Sequence, residues 1–173
     1  DYPIVNSELQ MDEIPAIPAY DPEAARIELA NAGVQGQTLR LATINTGYFP
    51  ELAEQWRIQL EALGFQVDLS IYDPGQDFVV NIIRQRNYDI LLYEVELGAD
   101  LDLFAYYHSS QASAAGLNLS NYANALIDDL ILSARTTMSA TGRAAKYETF
   151  LRRWVQDVPA IGIYQVSLVY YYN

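Results

Sequence analysis

The sequence predicts an α/β domain, a layered sheet of mostly parallel strands flanked by helices, with strand order 2-1-3 plus a C-terminal strand. Three observations predict it. Helix-like and strand-like segments alternate along the chain. The second strand-like segment alternates apolar and polar residues, so it has one wet face, whereas the third is a near-continuous apolar run. Right-handed crossovers then favour placing the first strand between the other two.

Residues 1–20, DYPIVNSELQMDEIPAIPAY, carry three prolines and no sustained period, and read as an extended connector. Residues 21–173 read as one domain. Asp21 is a good N-cap, Pro22 suits a first helical turn and Gly33 is a stop, so Pro22 to Ala32 is predicted helical. Leu39 to Ile44 is a short strand ended by Asn45-Thr46-Gly47. A helix follows from about Pro50 to Leu63, with Leu52, Trp56, Leu60 and Leu63 on one face and Gly64 as its stop. Phe65, Val67, Leu69 and Ile71 alternate with Gln66, Asp68 and Ser70 as the second strand. Asp73-Pro74-Gly75 turns into a helix ending near Arg86, and Tyr88 to Tyr93 is a strand of central character. After a long loop, helices are expected at Ala123–Arg135, with a Leu126/Leu130/Ala134 stripe, and at Gly142–Gln156, with Tyr147, Phe150, Leu151 and Trp154 facing inward. Pro159 to Tyr172 reads as the last strand.

Strand order has a functional meaning. Ligands of open α/β sheets bind beyond the carboxyl ends of the strands, at the point where the order reverses. Here that point lies between strands one and three, so the residues expected there are Asn45, Thr46 and Gly47, and Glu96 to Asp100.

Bulk composition narrows the classes of function. At 173 residues, 51% hydrophobic and 18% charged, the chain is globular and large enough to bury a core without covalent staples. It has no cysteine, which removes thiol chemistry and disulfides. A net charge of −12, with Lys146 the only lysine, gives no footprint for nucleic acid or an anionic membrane. No apolar run approaches the length of a membrane span. The chain starts at Asp1 without a signal peptide or methionine, and is expected to be a processed or excised segment; a cytoplasmic home does not follow.

The stretch GADLDLFAYYHSSQ, Gly98 to Gln111, concentrates the reactive residues. Asp100, Asp102 and His108 do not share one face at this spacing, so no metal site is expected. Ser109 directly follows His108, and no GxSxG elbow occurs, so a serine hydrolase triad is not expected either. His108 is instead read as a ring packed under the loop with one nitrogen bonded to backbone. Glu94 and Glu96 share a strand parity, and Glu96 is a candidate for touching a ligand. Asn118-Leu119-Ser120 matches a glycosylation sequon, a pattern too short to weigh. No Gly-rich phosphate loop is present, and no cofactor is implied.

The same stretch is similar to the GADPDPYxFWHSSQ-like segment of the family 5 extracellular solute-binding proteins, the dipeptide, oligopeptide and nickel receptors of ABC importers. AYDPEAARIELANAGV, TGYFPELAEQWRIQLEALGFQVDL, NYDILLYEVELGAD, NLSNYANALIDDLILSAR and YETFLRRWVQDVPAIGIYQ resemble further family patterns, in order, from Tyr20 onward. The resemblance implies a periplasmic-binding-protein-like lobe. Residues 21–173 would be the C-terminal ligand-binding lobe of a two-lobed receptor, a fragment whose first lobe is missing. It also implies a peptide or similar small solute held between two lobes, delivery to ABC permease subunits, an extracytoplasmic location (periplasm, or lipid-anchored outside the cell membrane), and no catalytic role. In peptide-binding members an aspartate after strand three pairs with the ligand's α-ammonium group; the matching position is Asp100. The backbone of Glu96, Leu97 and Gly98, continuing into Ala99, would pair with the ligand as an added strand. Leu101 and Leu103 stand where the family has prolines, and Glu94 and Glu96 where it is mostly apolar or aromatic. Asp102 is therefore the second candidate for the ammonium partner, and Asn45 and Thr46 complete the expected site. Rival readings are a small hydrolase using Glu96 and Asp100, and a sensor module built on the same lobe.

Overall fold

A computed structural model of the chain describes residues 15–96 and 102–164. These residues form two compact units: residues 19–96, and a second whose described part is residues 15–18 and 102–164.

The first unit holds the sheet. Helix α1 (Pro22–Ala32) begins where Asp21 accepts the Ala24 amide hydrogen at 2.9 Å and ends at Gly33, whose φ of 66° is the left-handed conformation that glycine adopts freely. None of its residues is buried, and Arg26 ties it to the Ala62 carbonyl. Strand β1 (Thr38–Ile44) runs between β2 (Gln66–Tyr72) and β3 (Ile90–Leu92), parallel to both. The predicted order 2-1-3 is therefore found. Helix α2 (Phe49–Ala62) covers one sheet face, where Leu41, Phe49, Ala53 and Leu92 are buried. Helix α3 (Gln76–Phe78), continued by a wider π-type turn at Val79–Ile83, belongs to the opposite face, where Ala42, Phe78 and Ile82 are buried. The crossover to β2 and the return to β3 run in opposite directions across β1, so crossovers of one hand put their helices on opposite faces. With both faces covered, neighbours in β1 are buried alternately into different layers. Thr43 sits in this interior because its hydroxyl donates to the Leu92 carbonyl at 2.8 Å.

Two strand expectations are corrected. The apolar run Tyr88–Tyr93 narrows to Ile90–Leu92, and this strand lies at an edge among the described residues, with β1 central. Asp89 delays the start of the strand: its carboxylate is gripped by the Arg40 backbone and guanidinium, in bonds of 2.8–3.0 Å. Those hydrogen bonds hold its pKa down at about 2. In β2 the alternation holds for Gln66 to Leu69, whereas Ile71 is 44% exposed.

The second unit is helical. Asp102 precedes α4 (Phe104–Tyr107), a 3-10 turn follows at Ser109–Gln111, and α5 (Ala125–Thr136) packs on α6 (Ala140–Asp157). As expected, α6 buries Tyr147, Phe150, Leu151 and Trp154. The α5 stripe is corrected: Ile127, Ile131 and Ala134 are buried, while Leu126 is 52% exposed. Steps of four and three straddle the 3.6-residue turn, whereas two steps of four drift around the helix. Both helix starts also move, because Asn124 caps α5 and Ser139 caps α6, each through a side-chain oxygen that accepts backbone N–H groups. Residues 159–164 form no strand, and the remainder of the expected last strand lies outside the described residues.

Polar groups lock this unit from inside. Asn118 is fully buried: its amide donates to the His108 and Tyr122 carbonyls and accepts from the Tyr122 N–H and the Ser120 hydroxyl. Asp157 accepts from Tyr122 at 2.6 Å, Arg153 at 2.8 Å and Asn124 at 3.0 Å. These bonds, that of Tyr122 foremost, hold the Asp157 carboxyl below its usual range, while burial and Asp157 push the Tyr122 phenol up to about 12.

Candidate functional site

The carboxyl edge of the sheet is built by three short exits. After β1 the chain turns through Asn45, Thr46 and Gly47, the last at φ 54°. The Asn45 N–H donates to the Tyr72 carbonyl at 2.7 Å, and its amide reaches the Asp73 carboxylate at 3.3 Å. The Thr46 N–H donates to the Ile44 carbonyl at 3.0 Å and its carbonyl accepts from Phe49, which starts α2. Thr43 pairs with Leu92 in register, so β3 reaches the same edge, and Tyr93 to Glu96 run on beyond it, all exposed. The Tyr93 ring packs 5.8 Å from Phe78, which itself lies 5.6 Å from Tyr72. The edge therefore carries three carboxylates, Asp73, Glu94 and Glu96, beside aromatic rings, with no lysine or arginine among these exit residues.

Of the eight expected ligand-contacting residues, Asn45, Thr46 and Glu96 lie along this edge. Leu97, Gly98, Ala99 and Asp100 lie outside the described residues. Asp102 belongs to the helical unit, and both of its oxygens are engaged. Oδ1 accepts the Phe104 N–H at 3.0 Å, and Oδ2 meets Arg135 Nε at 3.0 Å. The Arg135 guanidinium also lies over the Phe104 ring, 4.6 Å from its centre.

The remaining motif residues are structural. His108 Nδ1 accepts the Ser110 N–H at 3.1 Å, and its ring packs 4.5 Å from Phe104. Ser109 directs its N–H and hydroxyl to the two oxygens of Asp128, at 2.8 and 2.5 Å. A serine nucleophile would need its hydroxyl on the histidine; here it is spent on a carboxylate. Sequence reasoning missed Asp128 and Arg135 as partners. The only signals were their places, an acid in the first turn of α5 and a base in its last. Among the described residues no group of three or more His, Asp or Glu could hold a metal ion, and no helix is long and apolar enough to cross a membrane.

No family model matches the chain. It is 27% identical over 147 residues to di/tripeptide-binding protein 2 of Pseudomonas aeruginosa, an alignment covering 81% of this chain and 27% of that protein. Among solved structures it is similar to the Pseudoalteromonas dipeptide-binding protein in complex with Met-Leu, with a TM-score of 0.77, 19% identity, and 91% of this chain and 32% of that one covered. It is also similar to NikZ of Campylobacter jejuni in complex with Ni(L-His), with a TM-score of 0.69, 21% identity, and 83% and 32% covered. The chain spans under a third of the length of each of these proteins. The chain is thus similar in sequence to a di/tripeptide-binding protein, and its fold is that of part of a lobe of these peptide- and nickel-binding structures.

Proposed function

We propose that this chain is part of the substrate-binding component of an ABC importer, acting outside the cytoplasm and capturing a peptide or similar small solute between two lobes. Residues 21–173 supply the C-terminal ligand-binding lobe, residues 1–20 the connector into it, and the remainder of the protein the other lobe and the surface presented to the permease. The observation that carries the reading is the 2-1-3 parallel sheet, whose carboxyl edge is acidic, exposed and reached by the chain that leads into Gly98-Ala99-Asp100. An acidic edge suits a ligand with a cationic group, and the exposed exit Tyr93–Glu96, outside any helix, suits pairing with an extended peptide. The neighbours that hold Met-Leu in one case and Ni(L-His) in another agree with small solutes but leave the choice to the loops.

In this reading Asp100 binds the α-ammonium group, and Glu96 to Ala99 offer backbone hydrogen bonds. Asn45 and Thr46 line the edge, and catalysis has no part. A hydrolase using Glu96 and Asp100 gains nothing from the relatives, which are binding proteins. The test is a thermal-shift screen of the full-length protein against dipeptides, tripeptides, sugars and nickel–histidine, followed by calorimetry. Free-amino peptides are expected to raise the melting temperature, and Asp100→Ala to remove that shift. A shift from nickel–histidine alone would reject the peptide assignment.

A further inference from the structure

We infer that Asp73 is a positioning residue for ligand capture: it orients the Asn45 amide so that its carbonyl oxygen, Oδ1, is the atom offered at the carboxyl edge of the sheet. This rests on the reading just given for Asn45, and every residue it uses belongs to the sheet unit.

Strands β1 and β2 end in register, Ile44 opposite Tyr72, so the residues that follow, Asn45 and Asp73, leave the sheet side by side. Two bonds hold them there. The Asn45 N–H donates to the Tyr72 carbonyl at 2.7 Å, and the side-chain nitrogen Nδ2 donates to Asp73 Oδ1 at 3.3 Å. A carboxylate has acceptors only, so it pairs with the NH2 end of an amide and repels the oxygen end. Of the two orientations of the Asn45 amide that differ by a half turn, Asp73 favours one. In that orientation Nδ2 is engaged and Oδ1 is left to accept from a ligand.

The backbone adds to this polarity. The N–H groups of Asn45 and Thr46 are both spent inside the protein, on the Tyr72 and Ile44 carbonyls. Asn45, Thr46 and Asp73 are all exposed, as are Glu94 and Glu96 on the neighbouring exit. The edge therefore presents mainly acceptors. It suits a ligand group that carries N–H donors, such as an ammonium, a guanidinium or an amide, over a carboxylate.

Because both side chains are exposed, losing their bond is expected to act on binding more than on folding. The experiment compares full-length wild type with Asp73→Ala, Asp73→Asn, Asn45→Ala and the double alanine variant, by calorimetry with Met-Leu and by thermal melting. Asp73→Ala should weaken binding about three- to tenfold, the scale of one hydrogen bond, while melting moves little. Asp73→Asn keeps an oxygen that accepts from Asn45 and should recover most of the loss. The double variant should bind no more weakly than Asn45→Ala alone. Wild-type affinity in Asp73→Ala overturns the inference. An equal loss in Asp73→Asn does so too, because the charge would then act on the ligand and not on the amide. Losses that multiply in the double variant would show Asp73 acting without Asn45, and a melting temperature that falls in step with affinity would make the bond a structural tie; either result rejects the positioning role. Undiminished binding by Asn45→Ala rejects it while leaving the peptide receptor standing. Failure of the wild-type protein to bind any free-amino peptide is a different result, which removes the reading of the edge and this inference with it.

Discussion

The two units solve the same problem, burying a core in few residues, by different means. The sheet unit divides its interior into two thin layers on either side of β1, filled mainly by Leu41, Phe49, Ala53 and Leu92 on one face and Ala42, Phe78 and Ile82 on the other. Its charged pairs, Arg40 with Asp89 and Arg57 with Glu54 and Glu61, lie at the surface. The helical unit has one thick core with three buried aromatic side chains, Tyr147, Phe150 and Trp154, and closes its loops with the buried amide of Asn118 and the part-buried carboxylates of Asp128 and Asp157. A sheet can leave its carboxyl edge bare because ladder hydrogen bonds hold it. A long loop has no ladder and must be pinned by side chains.

The chain offers a direct way to test this contrast, because it has two tryptophans, Trp56 in the sheet unit and Trp154 in the helical one. Single-tryptophan variants report each unit's unfolding separately. The largest effect is expected from Phe150→Ala, which empties a site 1% exposed at the centre of the thick core and should cost about 3–5 kcal/mol. Trp56 fluorescence would then reveal whether the sheet unit follows; two separate transitions would mark the units as independent, and one shared transition as cooperative.

Next in size is Asn118→Ala. It removes an amide with four hydrogen bonds and strands the backbone groups of His108 and Tyr122, at about 1–3 kcal/mol for each group left buried without a partner. Urea unfolding followed at Trp154 measures it, and a change below 1 kcal/mol would show that water replaces the amide and that the loop is not pinned from within.

The smallest effect belongs to the surface pair. Asp89 is held at about 2, below its ordinary value of 3.8, so the stability it contributes is complete above that ordinary value and disappears as the pH falls through about 2. Acid titration of wild type against Asp89→Asn should show the two stability curves converging across that window. Curves that stay parallel would mean that the Arg40 clamp does not favour the charged carboxylate.

Legibility in the sequence followed the range of the interactions. Helix α1 was readable at both ends because Asp21, Pro22 and Gly33 act within one turn. The strand order was readable because the contrast between Gln66-Val67-Asp68-Leu69 and Ile90-Leu91-Leu92 reflects which sides meet water. The phase of α5 was not, because Leu126 and Ile127 are equally apolar and only the packing against α6 chooses between them. At the candidate site the positions of Asn45 and Thr46 followed from topology, and the backbone bond of His108 from its lack of a reactive partner. The engagement of Asp102 with Arg135, and of Ser109 with Asp128, joins residues distant in sequence and left no local mark.

The buried amide of Asn118 has one more consequence, for making the protein. Asn118-Leu119-Ser120 has the pattern that glycosylating hosts modify, yet the native fold encloses the side chain and uses both of its amide hydrogens as donors. A sugar on that nitrogen and the native loop exclude each other. In such a host, a chain that carries the glycan was modified before it folded, so the fraction of product bearing a sugar at this residue records a race between the transferase and the closing of the loop.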